Sequence, residues 1–328
     1  MQEQEQVVSV ADLVALVPYE LGFQPVDSVV IVALRDVAGH LMCTMRVDLF
    51  PEPVRSTGVD DVAAMLAQHA PASVVVIGYG GADVEQQATM QAVVLDAAGI
   101  PVPAGLVCAD GSWRMIGSDE WHPVNPAARG VAERIIAGRV PLASRAAKVD
   151  QLSVLDPPAG YVAALGEAPA FDAMTAARAW VQVLTGPGEV AELAATTLAV
   201  AVTALDTLEF RDVLLTKLAG FGPGDAWTFE RAVLNPLAAA CAGDKQPLLQ
   251  RLLTLCRITP DTSAAPLCAL AAAVAWVHDG TVLANEAVDR ALTCDRSHRL
   301  ARLLGFALSR GINPTHLQGE FVTGQPDV

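Results

Sequence analysis

Apolar and polar positions change period several times along the first third of the chain. Residues 11–17, ADLVALV, read as a short helix with Ser9, a residue type suited to capping a helix N-terminus, as its N-cap and Pro18 as its end. Residues 28–34, SVVIVAL, form an unbroken apolar run, as expected of a strand buried on both faces. At 41–49 the pattern alternates: Leu41, Cys43, Met45, Val47 and Leu49 share one face, and Met42, Thr44, Arg46 and Asp48 the other. That is a half-exposed strand, paired with the first through a short turn containing Gly39. A helix is predicted at about 58–69, a second doubly buried strand in PASVVVIGYGG, and a helix from 83 to about 98 with Asp83 as its N-cap. GIPVPAGLVCADGSWRMIG then reads as two strands joined by Asp110-Gly111, a strong two-residue hairpin signal. The order β-β-α-β-α-β-β predicts an α/β domain built on a mixed sheet.

Past about residue 126 the strand signals stop. Helical periods are predicted at roughly 127–138, 142–152, 172–185, 188–219, 227–242, 246–257, 263–278, 281–293 and 297–310, separated by TGPGE, GFGPGD and ITPDTSAAP. The expected division is a mixed α/β sheet domain at 1–126 and an all-α helical bundle at 127–328. Within 263–310, Ala284, Ala287, Ala291, Leu292 and Asp295, after Trp276 and Asp279-Gly280, resemble one tetratricopeptide-like hairpin. Arg296 stands where that motif usually has proline, and no second unit follows at its spacing. A single hairpin capping the bundle is therefore the expectation, with a peptide-binding array as the alternative.

Composition narrows the function classes. Hydrophobic residues make up 52% and charged residues 17% of the 328, enough apolar surface to offset chain entropy. No apolar run has the length and purity of a spanning helix, and the opening MQEQEQ is acidic where a signal peptide is basic, so a soluble, cytoplasmic protein is expected with no membrane partner. The six cysteines form no C-x-x-C pair and mostly sit in apolar runs, so they read as buried reduced thiols. The six histidines show no metal-ligand spacing. Net charge is −15, of which residues 1–126 carry −12, and such a field disfavours general nucleic-acid binding. Residues 129–148 and 290–310 each hold five bases against one acid, facing either the acidic domain or a partner.

Two groups carry candidate chemistry. If strands one and two form a hairpin, Arg46 and Asp48 lie opposite Asp27 and Ser28, beside a loop holding Tyr19, Glu20 and Phe23. Carboxylates, an arginine, a tyrosine and a serine in one place suit a polar ligand, a hard cation or acid–base work. The blander alternative is a salt bridge and cap tying the loop to the sheet. The second group is Gly78, Gly80 and Gly81 in GYGG, where glycines before a helix can aim backbone N–H groups at an anion. The full phosphate-loop and dinucleotide fingerprints are lacking, so a tight strand-to-helix turn is the alternative. The glycines are expected at the opposite end of the strands from Arg46 and Asp48, as a rival to that site. No catalytic nucleophile motif is present. Trp113, Trp121 and His122 cluster at a polar turn and read as cover for the sheet edge, with a pocket lining as the alternative.

VPYELGFQPVDSVVIVAL, MRVDL, VIGYG, GRVPLASRAA and AWVHDGTVLANEAVDRAL together resemble the actinobacterial family catalogued as domain of unknown function 4192. The resemblance implies an actinobacterial or phage source and supplies no activity. Gln24 stands where that family usually has histidine, which weakens a catalytic or ligating role at that position. The expected function is a non-enzymatic cytoplasmic adaptor or regulatory protein. It would carry a small polar-ligand site on the sheet domain and take a protein partner, or form a homo-oligomer, through the helices; no cofactor is specified. A metal-assisted hydrolase or phosphoryl-handling enzyme is the alternative.

Overall fold

The computed structural model describes residues 9–36, 38–51, 55–128, 130–136, 138–167, 171–222 and 229–317. Helix α1, Val10–Leu21, begins at Ser9, whose hydroxyl accepts from the Asp12 amide at 3.1 Å. It does not stop at Pro18. A proline costs its own N–H and crowds one carbonyl a turn back, and the flanking bonds carry the helix on to a left-handed cap at Gly22. Tyr19 and Glu20 therefore stand on the last helical turn rather than in a loop.

Strands β1 (Ser28–Leu34) and β2 (Leu41–Asp48) make the predicted hairpin, and all seven residues of β1 are buried. Helix α2 (Arg55–Ala67), strand β3 (Ser73–Tyr79), helix α3 (Ala82–Ala97), and strands β4 (Ala104–Ala109), β5 (Ser112–Met115) and β6 (His122–Pro123) follow. The sheet is mixed, in the order β2-β1-β3-β4-β5-β6. Strand β1 is antiparallel to both neighbours, β3 and β4 are parallel, and the rest of the ladder is antiparallel. At the β4–β5 turn Asp110 and Gly111 both take positive φ, 49° and 72°, the geometry that a two-residue hairpin matched to strand twist requires.

One face of the sheet presents Val29, Ile31, Ala33, Val47, Val74 and Val76 to Val62 and Leu66 of α2 and to Val84, Ala88 and Leu95 of α3. Alternation sends Ser28, Val30, Arg46, Asp48, Ile77, Tyr79, Leu106, Cys108 and Trp113 to the other face. There α1 packs on β2, and Phe23 meets Arg46 with the guanidinium carbon 6.0 Å from its ring centroid.

The chain divides into two compact units, Met1–Lys148 and Val149–Val328. The change in composition near residue 126 thus precedes the structural division. Helices α4 (Val131–Ile136) and α5 (Arg145–Val149) begin within the first unit, and their segment holds the end of α1. Arg134 pairs with Glu20. Leu142 exchanges backbone bonds of 2.9 Å with Gly22 and Gln24, and the buried Lys148 ammonium donates to the Leu21 carbonyl at 2.9 Å. At those two positions the basic run is neutralised or satisfied inside the acidic unit itself.

The second unit is all helix: α6 (Tyr161–Gly166), α7 (Ala173–Thr185), α8 (Ala195–Thr203), α9 (Leu208–Ala219), α10 (Arg231–Cys241), α11 (Lys245–Ile258), α12 (Asp261–His278), α13 (Thr281–Cys294), α14 (Arg299–Ser309) and α15 (Pro314–Leu317). The span 188–219, expected as one helix, is broken by 3₁₀ turns at Val190–Glu192 and Ala204–Asp206. Helix α12 is the axis: Leu267 to Ala273 and Ala275 are wholly buried, packed against α8, α9, α11, α13 and α14. Its alanines let neighbours approach closely. Polar groups inside find partners: Trp180 Nε1 donates to the Ala201 carbonyl at 2.8 Å, and the Tyr161 and Thr259 hydroxyls lie 2.9 Å apart.

Candidate functional site

The register of the hairpin sets Asp48 opposite Ser28 and Arg46 opposite Val30. On the other side of β1, Ser28 faces Tyr79 and Val29 faces Gly78. GYGG therefore stands at the same end of the sheet as Asp27, Ser28 and Asp48, not at the far end. The reason is topological. Helix α2 carries the chain across β1 and lays β3 parallel to β2, so both neighbours of β1 end where β1 begins. The two sequence candidates share one corner.

At that corner Asp27 takes φ 44°, and Gly80 takes φ 142°. A methyl group on Gly80 would lie 3.0 Å from Asp27 Oδ1 and 2.8 Å from Val84 Cγ2, so only glycine lets the loop before β1 close on the turn after β3. Gly81, not Asp83, is the N-cap of α3 and supplies no side-chain bond; Asp83 and Glu85 occupy the first turn. With Asp27 set against Gly80 and two acids in that turn, the anion cradle already meets carboxylates from the chain itself.

Strand alternation and register extend the corner into a transverse row on the face away from α2 and α3: Asp48, Ser28, Tyr79, Cys108, Trp113 and His122, one residue from each strand. Ser28 is fully buried, and its Oγ has no hydrogen-bond partner among the described residues. Arg46 Nη1 bonds Asp48 Oδ1 at 2.7 Å, while its buried Nε has no partner among the described residues. Asp48 is 74% exposed, so that ion pair contributes at most about 1 kcal/mol. Burial raises the Tyr79 hydroxyl well above its usual pKa, and the Cys108 thiol beside it adds to the shift. Burial likewise pushes the Cys108 thiol up to about 12, partly offset by its contact with Tyr79. The Trp113 and His122 rings lie tilted with centroids 4.9 Å apart, and the buried Trp113 Nε1 is also without a partner among the described residues.

Tyr19 and Glu20 are not part of this corner in the same way. Tyr19 packs against Ala15, Leu16, Ala128 and Val131, and Glu20 holds Arg134. The structure thus gathers Asp27, Ser28, Arg46, Asp48 and the glycines, and uses Tyr19 and Glu20 to fasten α1. Tyr79 and Cys108 were missed in the sequence because each is a single residue near a strand end; only the register aligns them.

The row limits the chemistry. Ser28 and His122 are four strand spacings apart, about 19 Å at ~4.8 Å each, too far for a serine–histidine couple. Cys108, with its ionisation suppressed, is a poor nucleophile. Among the described residues no group of three His, Cys, Asp or Glu side chains could hold a metal ion. What the corner offers is donors, from Ser28 and Arg46, beside a carboxylate rim.

Comparison with known proteins gives one match: the model of a family described as Domain of unknown function (DUF4192) covers residues 11–315. No curated protein matches the chain, and no solved structure does.

Proposed function

The chain belongs to the Domain of unknown function (DUF4192) family, which brings no activity with it, and from the chain's own residues we propose a non-enzymatic, cytoplasmic regulatory adaptor. Its α/β unit binds a small polar ligand at the Asp27–Ser28–Arg46–Asp48 corner, and its helical unit holds a protein partner. One observation carries the ligand reading: Ser28 Oγ and Arg46 Nε are buried at neighbouring positions of the hairpin without a partner among the described residues. Buried donors of this kind are rare in folded chains, and a ligand with acceptor oxygens satisfies them. The partner reading is supported by α14, which exposes Leu303 and Phe306 with Arg299 and Arg302 beside them and carries no acid.

A thermal-shift screen of the full chain with nucleotides, sugar phosphates and divalent cations tests the ligand. A binder at a hundred times its Kd adds about 2.7 kcal/mol. The expected result is stabilisation by an acceptor-rich compound that is lost in both Ser28→Ala and Arg46→Met. Stabilisation that survives both substitutions sinks the corner as the site. Stabilisation by a divalent cation alone, abolished by Asp48→Ala, supports the metal-assisted enzyme instead.

A further inference from the structure

The helical unit contains a cleft of about 380 Å³, at the small end of the range for ligand pockets, where the N-terminal ends of α9, α12 and α14 meet. It is separate from the sheet corner and does not depend on that reading. Charges of both signs line it, and their bookkeeping within the protein is incomplete. Asp206 lines the cleft as an exposed residue, and among the described residues its carboxylate accepts no hydrogen bond; partial burial raises its pKa, opposed by nearby His298. Arg211 gives Nε and Nη2 to one oxygen of Asp212, at 3.0 and 2.7 Å, which leaves Nη1 unengaged among the described residues. His298 stands near both, and its Nδ1 accepts from the Ala301 amide at 3.3 Å, so the neutral ring carries its proton on Nε2. Burial lowers the His298 pKa and keeps the ring in that neutral state.

An ordinary anion entering the cleft meets Asp206, Asp261 and Asp295. A simple cation meets Arg211 and the positive ends of α9 and α12, neither of which has a side-chain cap. A ligand carrying both charges as substituents of one carbon satisfies each group in turn. Leu205, Leu208 and Pro266 supply an apolar wall beside them. We propose that this cleft binds a free α-amino acid with an aliphatic side chain, its ammonium on Asp206, its carboxylate on Arg211 Nη1, and its side chain against Leu205 and Leu208.

Isothermal titration calorimetry on the full chain tests this with three probes: leucine, 3-methylbutylamine, which lacks the carboxylate, and 4-methylpentanoate, which lacks the amine. Leucine is expected to bind at one site, with each half-analogue at least about tenfold weaker. Asp206→Asn should weaken leucine and the amine about tenfold or more while leaving 4-methylpentanoate unchanged, and Arg211→Gln should do the reverse. Unfolding curves for both variants establish that the fold is kept, and either variant alone suffices. Absence of leucine binding at millimolar concentration overturns the proposal. So does equal binding by a half-analogue, or leucine affinity unmoved in a folded variant.

Discussion

Placing GYGG beside Asp27 makes the two positions energetically coupled, which a double-mutant cycle measures. Gly80→Ala puts a methyl group 2.8 Å from Val84 Cγ2 and 3.0 Å from Asp27 Oδ1, at a φ of 142°. Side-chain-bearing residues in such backbone regions cost about 1–3 kcal/mol. Val84 is buried and β-branched, so it yields poorly, and a total near 2–4 kcal/mol is expected. For a unit of this size that lowers Tm by roughly 4–16 °C. Asp27→Gly alone should be close to neutral or slightly stabilising, because Asp27 sits at φ 44° and glycine adopts that conformation freely. In the double variant the Asp27 part of the clash is gone while the Val84 contact and the backbone strain remain. The interaction term should therefore be about 0.5–1.5 kcal/mol in the relieving direction. Urea unfolding of the four proteins, followed by tryptophan fluorescence and with equal m-values required, reads it directly. Additivity within about 0.3 kcal/mol would refute the contact, and with it the antiparallel placement of β3 on β1 that makes one corner out of two.

Lys148→Met keeps the aliphatic stem and removes the ammonium that holds the Leu21 carbonyl, so the α/β unit should lose about 1.5–3 kcal/mol, with faster amide exchange at 21–24; unchanged exchange there counts against the tether. Burial raises the thiols of Cys108 to about 12 and Cys241 to about 11 in the folded chain, so their contribution to stability is complete below the ordinary thiol pKa near 9 and is lost as pH rises from there towards 11–12. Urea midpoints should fall between pH 8 and 10.5, by up to about 1.4 kcal/mol per pH unit for each thiol, and the fall should flatten in the Cys108→Ala/Cys241→Ala variant.

Much of the α/β unit was legible because its signals are local. An unbroken apolar run means a strand covered on both sides, and Asp110-Gly111 supplies the positive φ of a two-residue turn wherever it occurs. The direction of β3 relative to β1 is not local. It depends on which side of the hairpin α2 sets the next strand down, a choice made by packing of the Val62 and Leu66 face and by no residue near GYGG. The same blindness hid the transverse row: Tyr79 and Cys108 look like ordinary strand residues until pairing sets them beside Ser28. Pro18 misled in the other direction, since one missing N–H does not outweigh the buried face that Leu13, Leu16, Val17 and Leu21 give to α1. Arg46 and Asp48 were found by alternation alone, because a charged residue facing every second position of a strand needs no long-range information.

Helix α12 has a consequence for how the helical unit opens. A helix whose middle turns meet solvent on no side has no free-standing form in water, since its stability comes from the five helices around it. Local fraying can release α14 or α15, but α12 can be exposed only when its sheath comes apart. Its amides around Leu270–Val274 should then exchange with solvent at the rate set by global unfolding of the unit, and serve as the slowest clock in the molecule.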